Sequence, residues 1–495
     1  MENKSNIVKG AAKKGSRSIV SAFAIPALAA AFMLTACGAS STDTSSENKL
    51  GFEDTATSQI SYTGSETDTG LDLVNMFTER ELSETYDVSS SSKVTLNGTS
   101  ASSDSEGALV SGSTVKITKE GTYVLSGRLD NGSIIVEAED TAKVQIVLNN
   151  TEITSNAYTA IYAKSADKVF VTTASGTTNT ISNGGRYSQT DDNNVDAVIF
   201  GKTDIVLNGS GTLNITAGSG HGVVLKDDLK VTGGKININV AEKGLEANES
   251  IRITNSDISI TSGDDGIHAE NDEDQTVSFI YIKDGNISIR SGDDGIHGST
   301  ETLITGGKLE VSQSNEALES DIVNISGGNI SLISDDDGIN AQSRVNISGG
   351  KTLINAGGDG IDSNGTISVS GGETYVSGSV QDRDSAFDYE TNASITGGTF
   401  IATGMSGMAE NFKDVDQGSI LVSTGDQSAG TKVEITDGSG SVIASYSPVK
   451  RYNSVLVSAE ALKTGETYTV TAGTYTGSVT LSDYVYGLGG DARHR

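Results

Sequence analysis

Between about Lys93 and Asn411 apolar and polar residues alternate in short runs, among them Lys235-Ile236-Asn237-Ile238-Asn239-Val240, Asp257-Ile258-Ser259-Ile260 and Asn286-Ile287-Ser288-Ile289. A period of two over four to six residues predicts strands with one buried face. Gly-Gly or Asp-Gly punctuates the runs, at Gly233-Gly234, Asp284-Gly285, Gly306-Gly307, Gly327-Gly328, Gly349-Gly350, Gly371-Gly372 and Gly397-Gly398. Glycine supplies the positive φ that tight corners require. A third apolar point follows a small residue at 244, 266, 295, 317, 338, 360 and 386, in steps of 22, 29, 22, 21, 22 and 26 residues. Such a repeat is one turn of a solenoid.

Two architectures use these pieces. The glycine pairs could be hairpin turns of an antiparallel meander. Three strands and three corners per unit fit a parallel β-helix better, with coils about 4.8 Å apart and like residues stacked. Parallel crossovers are right-handed almost without exception. The expected fold is therefore all-β, a right-handed parallel β-helix over 77–415, with looser early coils around Ala160, Ala197 and Gly222. Val433-Glu434-Ile435, Ser441-Val442-Ile443-Ala444, Ser454-Val455-Leu456-Val457 and Thr467-Tyr468-Thr469-Val470 predict a small antiparallel β-module over 416–480 that caps the open end. Residues 481–495 form a tail.

Chemistry enters through the polar residues around the small ones. Asp264-Asp265, Asp293-Asp294, Asn315-Glu316 and Asp336-Asp337 precede the small residue, as do Glu242-Lys243 and Asp359. Two positions after it stand Glu246, His268, His297, Glu319, Asn340, Asp362 and Asp388. With the small and apolar residues inward, these side chains form columns along one outer edge. Carboxylates about 5 Å apart repel by roughly 1 kcal/mol in water and about 3 kcal/mol at an effective dielectric near 20. Clustered hard oxygens call for Ca²⁺ rather than a transition metal. The candidate ligands are Asp264, Asp265, Asp293, Asp294, Glu316, Asp336, Asp337, Asp359 and Asp362, holding several ions; a solvated acidic edge without metal is the alternative. His268 and His297 read as a stacked surface pair hydrogen-bonded to neighbouring Asp, since a zinc site would want more His or Cys nearby; they are also the candidate carbohydrate contacts. Glu270 to Asp274 lengthen one coil, as a further calcium ligand, a lip over a groove, or an ordinary loop.

The remaining composition narrows the setting. Lys4, Lys9, Lys13, Lys14 and Arg17 precede an apolar run, Ile19 to Leu34, that ends in Leu34-Thr35-Ala36-Cys37-Gly38. This resembles a bacterial lipobox, cleaved before Cys37 and lipidated on it. Residues 1–36 are then a signal peptide and 37–76 a Ser/Thr/Asp-rich tether, which puts the protein on the extracellular face of the cell membrane. Cys37 is the only cysteine, so no internal disulfide framework exists. The formal charge of −31 argues against nucleic acid and anionic membrane surfaces, leaving the lipid as the membrane contact.

Phe77-Thr78-Glu79-Arg80-Glu81-Leu82, Gly121-Thr122-Tyr123-Val124-Leu125-Ser126-Gly127, Gly209-Ser210-Gly211-Thr212-Leu213, the Asp-Gly-Ile turns and Gly465-Glu466-Thr467-Tyr468 occur in order over residues 77–475. On these stretches the chain resembles a family of bacterial surface lipoproteins described as carbohydrate-binding, with a pectate-lyase-like parallel β-helix. The resemblance implies calcium in the turns and binding of plant cell-wall polysaccharide, of the acidic pectin type. The chain has no Trp, so sugar stacking rests on other rings and an ion-bridged acidic glycan fits better. Two other functions remain open. A pectate-type lyase working by β-elimination needs a basic residue, for which Lys243 is the candidate and Arg383 and Arg344 lesser ones. Lys243 equally reads as a salt bridge capping the acidic column. A surface adhesin would use calcium only to stiffen the solenoid.

Overall fold

The computed structural model describes residues 70–189, 193–271, 273–274 and 276–487. The signal peptide, Cys37 and most of the tether expected from the sequence lie outside them. Among the described residues no helix forms, and parallel strands wind into a β-solenoid of about 13 turns. A representative coil consists of Lys235–Val240, Leu245–Ala247 and Ser250–Ile253. Each of these pairs in parallel with its counterpart in the next coil, Asp257–Ser262, Ile267–Ala269 and Phe279–Ile282. This excludes the hairpin alternative, and three parallel sheets result, here numbered first, second and third in coil order. The strands run from Ser92–Gly98 to Asp414–Val415.

The alternation in the sequence is the wall of this tube. Ile236, Ile258, Ile287, Leu309 and Ile330 stack in register inside the first sheet. Leu245, Ile267, Ile296, Leu318, Ile339 and Ile361 do the same in the second. All are at most 3% exposed. The second residue of each glycine-pair turn (234, 285, 307, 328, 350, 372 and 398) has φ between 78° and 115°, which explains why the turns keep glycine.

The small residue of the motif is small for a different reason. A Cβ on Gly266 would lie 2.5 Å from Ile289 Cγ2 and 2.6 Å from the Gly295 carbonyl oxygen. There the second sheet's backbone turns inward against the first sheet's side chains, and no volume remains.

The C-terminal region differs in two respects from the sequence reading: the expected tail from 481 starts with the buried Leu481 and a short strand, Val485–Tyr486, that pairs in parallel with Ser419–Gln427, and one module strand is placed elsewhere. Val433–Thr436, Val442–Tyr446, Thr467–Ala472 and Tyr475–Thr480 form a four-stranded antiparallel sheet. Ser454 to Val457, expected in the same module, belong instead to Tyr452–Ala459. That strand pairs antiparallel with Thr399–Gly404, the last strand of the first sheet, and with Ser419–Gln427. It satisfies the backbone groups that the final coil would otherwise leave unpaired.

Candidate functional site

The acidic motif lies where the first sheet turns into the second, and register fixes its columns. Glu246, His268, His297, Glu319, Asn340, Asp362 and Asp388 are successive partners in the second sheet. The residues just before the small position form a second column from His221 to Ser385. The sequence placed both on an outer edge, and here it needs correction. Asp265 and Asp294 are buried, at 4% and 5% exposure, while Asp264 is partly exposed and Asp293 exposed.

Backbone chemistry causes the burial. Asp294 N donates to Asp265 Oδ1 (3.0 Å), Glu316 N to Asp294 Oδ1 (3.4 Å), Asp359 N to Asp337 Oδ1 (2.7 Å), and Ser385 N to Asp359 Oδ1. Each carboxylate thus accepts the amide of the equivalent residue one coil on. Lys243 N donates likewise to His221 Nδ1 (3.2 Å). The column is a hydrogen-bonded ladder linking successive turns, and a buried amide needs such a partner.

The ladder's two ends differ in charge. At the N-terminal end the protein supplies its own cations. Lys243 Nζ lies 2.5 Å from Asp265 Oδ2 and 3.8 Å from Asp264 Oδ2. His268 Nδ1 is 2.7 Å from the same Asp265 oxygen, and its Nε2 is 3.1 Å from Glu270. Burial works against the Asp265 charge, yet His268 and Lys243 hold its pKa well below the usual carboxylate range. Burial also opposes the Lys243 ammonium, but Asp265 outweighs it and raises its pKa. Lys243 is therefore protonated and tied, a state unsuited to a general base.

The histidines stack as expected, with ring centroids 4.7 Å apart and planes 19° apart. They are not a surface pair, because His268 is buried and His297 half-buried. His297 Nδ1 lies 3.2 Å from Asp294 and 3.0 Å from Glu319. Burial opposes the imidazolium, but both carboxylates raise its pKa to about 10. The His297 hydrogen bond draws Glu319 down to about 2. Burial, with Glu319 and Glu316 alongside, pushes Asp294 up.

At the C-terminal end this compensation stops. Oxygens of Asp337, Asp359 and Asp362 lie within 4.8 Å of one another. Among the described residues none of the three makes an ion pair with Lys, Arg or His. Burial, then the neighbouring carboxylates, pushes Asp337 and Asp359 up to about 7 and raises Asp362. The exposed Asp336 adds to the field at Asp337. Three further groups, Asp264/Asp265/Asp293, Asp293/Asp294/Glu316 and Asp294/His297/Glu319, are equally close, but Lys243 or His297 already reaches into each. Hard, uncompensated oxygens at Asp337, Asp359 and Asp362 fit a Ca²⁺ ion.

Beside the columns opens a cleft of about 440 Å³, lined by Glu270, His297, Glu319, Asn340, Gln342 and Asn364 among others. The extra-long coil supplies Glu270, so the start of the insert does border a groove. The amide side chains there offer paired donors and acceptors of the kind that sugar hydroxyls use.

A family model described as carbohydrate-binding domain-containing protein matches residues 111–321 and 312–483. This chain belongs to that family. A protein of the same description from Acetivibrio thermocellus is 36% identical over 135 residues, which is 27% of this chain and 47% of the relative. The chain thus spans about half the length of the curated relative it matches. Among solved structures, the polysaccharide lyase-like protein from C. thermocellum, in its gadolinium derivative, aligns with a TM-score of 0.43 and 32% identity, covering 48% of this chain and 92% of that one. The family matches span the whole acidic ladder and the cleft.

The N-terminal motif had no structural role in the sequence reading. Glu81 is 1% exposed and sits between Lys168 and Lys230. Met76, which the sequence assigned to the end of the tether, is buried with Phe279, Tyr281 and Leu303. The ordered part of the chain therefore begins before residue 77. The only cue was the position of Leu71, Leu73 and Met76 in an otherwise polar stretch.

Proposed function

We propose that this family member is a non-catalytic, calcium-dependent binder of acidic, pectin-like polysaccharide, held on the extracellular face of the membrane by a lipid on Cys37. The supporting observation is the change along the ladder from built-in cations at Lys243 and His297 to bare carboxylates at Asp337, Asp359 and Asp362. Ca²⁺ at the bare end would relieve their repulsion and keep coordination positions for ligand oxygens. A uronate carboxylate supplies such oxygens, and the amides of the neighbouring cleft suit its hydroxyls. Asp264, Asp265 and Asp294 then serve chiefly as the internally paired part of the edge, with Lys243 and His297 as partners, while Asp293 stays unpaired beside them.

Lysis of the glycan is the other reading, and the Lys243–Asp265 ion pair speaks against it. Incubation with polygalacturonate and calcium, read as ultraviolet absorbance of unsaturated uronate, is expected to give no product. Product that disappears in Lys243→Ala would make the protein a lyase. On immobilised glycans the protein is expected to retain acidic chains over neutral ones, and to retain them more strongly with calcium than without it.

A further inference from the structure

Residues 71–83 cross the outer face of the third sheet without forming a strand. Arg80 lies 4.5 Å over the Phe170 ring and donates to Gln145 (2.8 Å). The Glu81 carboxylate takes hydrogen bonds from Lys168 and, at 2.8 Å, from Lys230. The Glu81 carbonyl accepts from Thr232 Oγ1 (2.6 Å), and the Met76 carbonyl from Arg252 (3.5 Å). Phe77 packs on Tyr281 with centroids 6.1 Å apart.

The strip beneath this strap is unusual for the molecule. In a chain of net charge −31 it gathers Lys168, Lys230 and Arg252 beside Phe170 and Tyr281; Asp204 also pairs with Lys168 (3.0 Å) and Asp228 with Arg252 (2.9 Å), whereas Lys230 has Glu81. Lys230 is 6% exposed, and Glu81 is the carboxylate that neutralises it. Burying such a pair is no better for stability than apolar packing of the same volume, so stability alone does not account for it. The attachment is uneven: Met76 and Glu81 are buried, whereas Val74 is 88% and Leu82 45% exposed, two apolar side chains left in water. The strap is held by side chains and not by a strand ladder, and such irregular segments open locally before the core does.

We propose that this strip is a cation-independent binding site for a carboxylate-bearing glycan, and that the strap is its displaceable occupant. Glu81 stands where a uronate carboxylate binds, between two ammonium groups that form charge-assisted hydrogen bonds. Phe170 and Tyr281, now under Arg80 and Phe77, then take the apolar faces of the sugar rings. This site lies on the third sheet and needs no calcium, so it goes beyond the calcium-bridged reading.

Hydrogen exchange of amides 76–83 in the full chain, with chelator present throughout, tests it. Oligogalacturonate is expected to speed their exchange, and a neutral oligosaccharide of equal length to leave it unchanged. Glu81→Gln removes the internal competitor and is expected to tighten oligogalacturonate binding in chelator about tenfold, by raising the fraction of open sites. Lys230→Met is expected to loosen the strap and yet bind no oligogalacturonate. Unchanged exchange in the intact chain under oligogalacturonate would overturn the proposal, whatever the variants do. Because calcium is absent from every arm, this failure is distinct from a failure of the calcium-bridged reading.

Discussion

A single carboxylate in this ladder has two jobs that conflict. Asp359 accepts the Ser385 amide and shares its surroundings with Asp337 and Asp362. Asparagine keeps an acceptor for the amide but removes charge from the ion. Asp359→Asn is therefore expected to weaken calcium binding about tenfold, ~1.4 kcal/mol, while raising the melting temperature in chelator. Direct titration with calcium and a melting curve check both; unchanged calcium affinity would remove Asp359 from the site. Lys243 gives the converse case. Lys243→Ala strips Asp265 of a buried partner and is expected to cost about 3 kcal/mol, part of it restored by calcium. Denaturant unfolding with and without the ion reads the difference. The sequence showed these residues as equals in a repeat. It did not show that Asp265, Asp294, Asp337 and Asp359 each accept a backbone amide of the next coil, because that follows from how far one coil is offset from the next.

At the scale of strands and turns the sequence was most legible. Alternating Ile, Gly-Gly corners and the 22-residue step each reported one local requirement: a buried face, a positive φ, or a stacked coil. The small residue of the motif reported a fourth, lack of space. Gly266→Ala is expected to lower stability by about 1–3 kcal/mol through overpacking, seen as an earlier denaturant midpoint with unchanged slope. Gly244, Gly295, Gly338 and Gly360 are as tightly enclosed, each with an atom within 2.5 Å of an added Cβ, so the same penalty is expected there; only the coils that carry Ala317 and Ala386 make room. Two elements escaped the sequence reading. Tyr452–Ala459 has the composition of any module strand, and only its pairing with Thr399–Gly404 makes it the cap of the solenoid. The strap has no periodicity, because its contacts come one residue at a time from different coils.

For the whole molecule the asymmetry of the ladder sets the response to pH and to calcium. In the folded state Asp337 and Asp359 titrate near 7, above their ordinary range in an unfolded chain. A carboxyl raised on folding adds stability that is fully present below its unfolded pKa and is lost as pH rises through the folded value. Calcium-free protein is thus expected to melt several degrees lower at pH 8 than at pH 5, with most of the loss between about pH 4 and 7. Calcium should flatten that slope by stabilising the ionised form. Glu319, drawn down to about 2, works in the opposite direction and loses its contribution only in strong acid. A chelator-insensitive melt at pH 8 would mean that the bare carboxylates live with their repulsion. The most direct test of the central claim is calorimetric titration of polygalacturonate into the calcium-loaded protein, repeated with EDTA. Binding that tightens with calcium, and loses most of that gain in Asp359→Asn, is the predicted result. Equal affinity with and without the chelator, in both proteins, would contradict it.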